Sequence, residues 1–167
     1  MFTTIDSFVK LWEVEAKNTQ QILDACTDAS LQQSVTSDHR TLGRLAWHVV
    51  TSVHEMLTRT GLQFAGAEPD SPIPATAQEI SAAWTKTSEA MIQALRDQWK
   101  DSTLLEESDM YGDQWPNGVT LQILIHHMIH HRGQMTVLMR QAGLKVPGVY
   151  GPTLEVWASF GMEAPTL

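Results

Sequence analysis

Apolar residues return every three or four positions over four long stretches of the chain, the period of a helix with one buried face. The first stretch runs from about Ile5 to Ala25, with Ile5, Phe8, Val9, Leu11, Trp12, Val14, Ala16, Ile22 and Leu23 on the pattern and Thr4 or Thr3 as cap. The second, about Arg40 to Leu62, carries Leu42, Leu45, Ala46, Val49, Val50, Val53, Met56 and Leu57. Ser37 and Asp38 are its candidate N-caps, and Gly61 helps to end it. The third, about Thr76 to Trp99, uses Ile80, Ala83, Trp84, Met91, Ile92 and Leu95. The fourth, from near Thr120 to Gln141, is closed by Gly143. A short amphipathic segment, Thr153 to Phe160, predicts a last small helix.

Between these stretches lie segments that break the period. Gly66, Pro69, Pro72 and Pro74 mark a loop before the third helix. Lys100 to Gly118 is irregular, with Pro116 and Asn117-Gly118 marking a turn, and a connection of that length often carries function. No alternation of period two is convincing, so no strand is expected. The pattern therefore predicts an all-α protein, a four-helix bundle with long crossover connections and a short C-terminal helix. It fills a single domain over residues 1–167.

Composition narrows the function. A 167-residue chain buries roughly two thirds of its extended surface on folding, so its core needs no metal to exist, and any metal present serves function. The net charge of −8 and the absence of any basic run argue against a nucleic-acid partner. Cys26 is the only cysteine, which excludes an internal disulfide and a thiolate zinc cluster; it is expected as a small buried hydrophobe. No run of 18 apolar residues predicts a membrane span, and the N-terminal stretch lacks the basic and apolar regions of a signal peptide. A cytoplasmic location is expected.

The strongest chemical signal is His126, His127, His130 and His131, four histidines within six residues. Histidines four apart on a helix lie about 40° apart around its axis and can chelate one ion. At roughly 100° per residue, Leu121, Leu124, Ile125, Met128, Met135 and Met139 define one apolar direction. His127 and His131 border it, whereas His126 and His130 lie near the far side, towards solvent or another subunit. A catalytic zinc usually has three protein ligands and an open position. For the third ligand the second helix offers His48 and His54 on opposite flanks, and periodicity alone leaves both open; His39 is a weaker candidate.

Leu45-Ala-Trp-His48 and His127-Met-Ile-His-His-Arg-Gly-Gln134, followed by the segment from Leu138 through Lys145-Val-Pro147-Gly-Val-Tyr-Gly, make the chain resemble the DinB-like family. That family comprises damage-inducible bundle proteins and related thiol-dependent transferases. The resemblance implies a metal held by His48, His127 and His131, with zinc or nickel the usual ion. It also implies a homodimer, and in some relatives transferase or isomerase activity with a low-molecular-weight thiol such as bacillithiol, mycothiol or glutathione.

An ion on three neutral imidazoles can lower the pKa of a bound thiol, or activate water for hydrolysis. A non-catalytic metal-binding module is the competing expectation. Glu55, two turns beyond His48, is a candidate base or supporting partner, and Gln134 can orient a ligand or substrate. Arg132 is expected in a structural ion pair, and Tyr150 and Trp115 are candidates for a pocket mouth.

Overall fold

In the computed structural model, which describes residues 2–166, four helices carry the fold. They are α1 (Ile5–Asp24), α2 (Leu42–Thr58), α3 (Ala77–Gln98) and α4 (Asn117–Gln141). A hairpin of β1 (Glu107–Met110) and β2 (Asp113–Pro116) precedes α4, and short 3-10 turns span Asp28–Gln32, Asp101–Leu105 and Trp157–Phe160. Helix α2 packs against α3 and α4, and α1 packs against the same two, so α1 and α2 take opposite corners of the bundle. The 25–41 and 99–116 connections therefore cross the bundle diagonally, which accounts for their length. No helix among the described residues is long and apolar enough to cross a membrane.

Threonine caps set three helix starts. Thr4, Thr41 and Thr76 each accept a hydrogen bond from the backbone N–H three residues on, satisfying a donor that has no partner within the helix. At Thr76 the Glu79 carboxylate returns the bond to the Thr76 N–H, completing a capping box. Ser37 and Asp38 do not cap α2; Thr41 does, because Ser37 and Asp38 lie inside the loop that Leu42 N–H closes onto Gln33 C=O, before the helix begins. The apolar face of every helix feeds one core, in which Phe8, Trp12 and Trp84 stack in sequence with centroids 5.7 Å apart at each step. Both indoles keep a hydrogen-bond partner: Trp12 donates to Ser88 Oγ and Trp84 to Ala16 C=O.

Two expectations are corrected. Residues 107–116 form a hairpin, not an irregular connection. Its strands are only four residues long, too short for alternation to register, and the turn is two residues, Tyr111-Gly112, both at positive φ (63° and 97°). The hairpin launches α4 at Asn117, three residues before the expected start. The buried Asn117 side chain accepts from Ser108 Oγ and donates to Thr103 C=O. Residues 153–160 form no amphipathic helix, only the 3-10 turn at Trp157–Phe160, and none of that turn is buried. Without a face to cover, so short a helix is not stable alone.

A buried ion pair orients α4. Arg132 and Glu15, both 3% exposed, meet at 2.7 Å, and Arg132 also donates to Thr19 Oγ1 and to Glu15 C=O. With Arg132 turned onto α1, its neighbour His131 is carried about 100° round the axis, towards α2. Cys26 is buried as expected, its thiol donating to Ile22 C=O and raised by burial to about 11.

Candidate metal centre

The α2–α4 seam brings His48, His127 and His131 together, each half-buried. Nε2 of His127 lies 3.3 Å from Nε2 of His48 and 3.1 Å from Nε2 of His131. Ligand atoms of all three fall within 4.8 Å of one another. Tetrahedral zinc with Zn–N bonds of 2.0–2.1 Å requires ligand nitrogens about 3.3–3.4 Å apart, so the observed spacing fits one ion.

Protonation supports the same reading. His131 Nδ1 donates to Gln134 Oε1 at 2.7 Å, which leaves a lone pair on its Nε2. Gln134 Nε2 in turn donates to His130 Nε2. Ser52 Oγ lies 3.5 Å from His48 Nδ1. His127 Nδ1 is buried without a partner, the one ring nitrogen of the three with none. Nitrogen lone pairs converging at about 3 Å repel one another unless a proton or a cation lies between them. Burial, the neighbouring imidazoles and Arg40 together push His48 down to about 4. Burial and the imidazoles of His131 and His130 do the same for His127, against an opposing pull from Glu55. His131 is lowered too, chiefly by burial, with the Gln134 hydrogen bond opposing. Neutral imidazole is the metal-binding form.

Other residues singled out in the sequence fall elsewhere. His54 sits on the opposite flank of α2, where its Nε2 meets Phe64 C=O and its ring packs edge-on against Phe64. His126 is exposed, and His39, bonded to Thr36 Oγ1, is no part of the three-histidine cluster but borders the cavity beside it. Glu55 is engaged, not free: its carboxylate takes Arg59 Nε at 2.6 Å and Tyr111 O–H at 2.7 Å. Tyr150 lies on the α1 side of α4, where its hydroxyl donates to Glu15 and Arg132 lies over its ring, and it borders a separate surface pocket with Val137, Arg140 and Val149. Trp115 belongs to β2, 6.1 Å from Tyr111.

Beside the histidines lies a cavity of about 520 Å³, bordered by Leu45 of α2, by His131, Gln134, Val137 and Leu138 of α4, and by the segment before α2. Two residues, one at each end of α2, were not singled out by the sequence pattern. Arg40 borders the cavity, and its charge reaches all three histidines. Tyr111 holds Glu55 from the hairpin tip; its Tyr-Gly pair was the only local sign of that turn.

A profile of the DinB family matches residues 1–165. The chain belongs to the DinB family. It is 52% identical to the uncharacterized protein YrdA of Bacillus subtilis (strain 168), over the full length of both. Among solved structures, a DinB-like protein from Bacillus cereus ATCC 10987 superposes with a TM-score of 0.87. It is 47% identical, with 90% of this chain and 100% of that one covered. A second DinB-like protein, YjoA of Bacillus subtilis, matches with a TM-score of 0.67 over 86% of this chain and 97% of its own. At 17% identity it shares the fold alone. Within the DinB fold, the three-histidine cluster is compatible with a metal site.

Proposed function

We propose that this DinB-family protein binds one divalent cation, zinc or nickel, through Nε2 of His48, His127 and His131. We further propose that it uses the ion as a thiol S-transferase on a low-molecular-weight thiol. The observation that carries the metal reading is the convergence of three Nε2 atoms at 3.1–3.3 Å between the nearest pairs, with the outward nitrogen of His131 held by Gln134. When bound, such an ion lowers the pKa of a thiol that reaches it. The chain's own groups hold the imidazoles neutral, fix the His131 tautomer and provide an apolar cavity beside His131. That adjoining cavity favours a substrate-handling site over a closed metal-storage module.

The proposal includes a homodimer in the cytoplasm. Exposed Leu11 and Val14 of α1 and Ile123 of α4 supply apolar surface for association.

The test is metal content per chain by elemental mass spectrometry on untagged protein, with His48→Ala, His127→Ala and His131→Ala alongside. One ion per wild-type chain, lost in each variant, is expected. No ion after incubation with zinc or nickel and dialysis would sink the reading. The transferase step is tested on loaded protein with bacillithiol, mycothiol or glutathione and an alkylating electrophile. Absence of turnover with every thiol leaves the non-catalytic module.

A further inference from the structure

The metal-site reading leaves the arginines beside it without a role. Arg40 is exposed and immediately precedes Thr41, the N-cap of α2, and Arg44 falls in the first turn of that helix. A helix N-terminus carries partial positive charge and disfavours cations. Here it holds two, and no acidic residue occupies the first turn. The chain has 19 Asp and Glu against 11 Lys and Arg, so acidic partners are plentiful. Yet among the described residues neither arginine forms an ion pair. Asp38 is the one carboxylate bordering the cavity with Arg40, and it accepts from Ser37 Oγ instead.

Arg40 and His131 border the same cavity. Its apolar wall is made by Val35 and Val137, each more than half exposed, with buried Leu45 and Leu138; Asp38, His39 and Gln134 complete the polar side. Exposed valines facing a groove beside an unpaired guanidinium describe a surface suited to one anionic group and one apolar body. A volume of about 520 Å³ lies in the range of small-ligand sites. A cation on the histidines adds to the field of Arg40 and Arg44, and the single carboxylate on the cavity, Asp38, offsets only one of these charges, so the balance here favours an anion.

We propose that this cavity binds a small organic carboxylate, with Arg40 pairing with the carboxylate and Val35, Leu45, Val137 and Leu138 covering an apolar body of the size of a phenyl ring. Arg40 is thus a specificity-determining residue, selecting acids over their neutral analogues. Guanidinium suits the role because it takes a carboxylate through two parallel hydrogen bonds. The inference rests on the metal-site reading only for the added charge of the ion; the arginine and the apolar walls are properties of the chain itself.

The probe pair is 3-phenylpropanoate and its uncharged amide, 3-phenylpropanamide, titrated into full-length protein and followed by Val and Leu methyl NMR. Zinc-loaded and metal-free samples are compared, with metal content measured on each. Saturable binding of the carboxylate, with methyl shifts at Val35, Leu45, Val137 and Leu138 and at least about tenfold weaker binding of the amide, is expected. Arg40→Gln abolishes the preference. Val137→Asp, which sets a carboxylate on the exposed wall, weakens the acid more than the amide. Both positions are exposed, and circular dichroism checks that the fold is kept. Equal binding of acid and amide, shifts confined to other methyl groups, or no saturable binding in either metal state would overturn the proposal. If zinc is not retained, the metal reading fails, and the acid preference is still decided on the metal-free protein.

Discussion

Nδ1 of His131 lies 2.7 Å from Oε1 of Gln134, one turn further along α4. The bond fixes which His131 nitrogen carries the proton and turns the lone pair of the other towards His127. Removing such an outer partner typically costs 10–100-fold in metal affinity. Gln134→Leu is therefore expected to weaken zinc binding about tenfold or more, and Gln134→Glu to match or exceed wild type. Competition with a chromophoric chelator reads both. Unchanged affinity in Gln134→Leu would mean that packing alone orients His131.

Low histidine pKa values set the pH response. The folded values of His48 and His127, about 4, lie below the ordinary 6.5 of an unfolded chain. Between those limits the unfolded chain binds more protons. The stability of the metal-free protein is therefore present above about 6.5 and is lost as pH falls towards about 4. Urea midpoints measured from pH 7 to pH 4 should decline over that window.

The same values govern the protons released on metal binding. At pH 5.5 a histidine of pKa 4 is about 3% protonated, whereas an unperturbed one is about 90% protonated. Zinc binding should then displace almost no protons from His48 and His127, rather than nearly two. Calorimetry in buffers of different ionisation enthalpy counts them. Release of two or more would show that the free imidazoles are ordinary.

Glu15 and Arg132 are both almost wholly buried. Leaving either charge alone in the core typically costs about 3–5 kcal/mol. Arg132→Met is expected to fall in that range by urea denaturation. Combining it with Glu15→Leu should recover most of the loss, because no unpaired charge remains. If the double variant is as unstable as the single one, the pair contributes more than mutual neutralisation.

Tyr111 takes a left-handed backbone conformation, φ 63°, that costs a non-glycine residue about 1–2 kcal/mol. Its hydroxyl reaches Glu55, and Arg59 lies over its ring at 4.5 Å. Tyr111→Phe keeps the ring and loses the hydrogen bond, so a loss of about 0.5–1 kcal/mol is expected. Tyr111→Asn loses the whole ring but gains a residue suited to this turn, and should be no less stable than Tyr111→Phe. A much less stable Asn variant would show that the contacts with Arg59 and Trp115 outweigh the backbone cost.

Much of this was legible from local order. The third helix was expected within a residue at each end because Thr76 and Glu79, three apart, form their capping box without help from the rest of the chain. The fourth helix's apolar stripe separated His127 and His131 from His126 for the same reason: angular position on a helix follows from counting. The hairpin and the C-terminal turn were missed because their conformation depends on what they pack against. Tyr111 pays for a strained backbone with contacts to α2, and Trp157–Phe160 buries no side chain fully, with only Trp157 partly covered.

By itself, then, the sequence determined four amphipathic helices, a buried lone cysteine and one pair of histidines on α4 spaced to share an ion, all consequences of spacing along a single helix. The choice of His48 over His54 was different: residue patterns left both flanks of α2 open, and family resemblance favoured the first. Only the packing of α2 on α4, with Arg132 anchored to Glu15 of α1, set three Nε2 atoms around one point and turned His54 away. Only the tertiary structure also showed Arg40 sharing a cavity with His131, 91 positions later in the chain. The physical reason is that periodicity specifies direction about a helix's own axis, whereas a site built across two helices depends on how their faces meet.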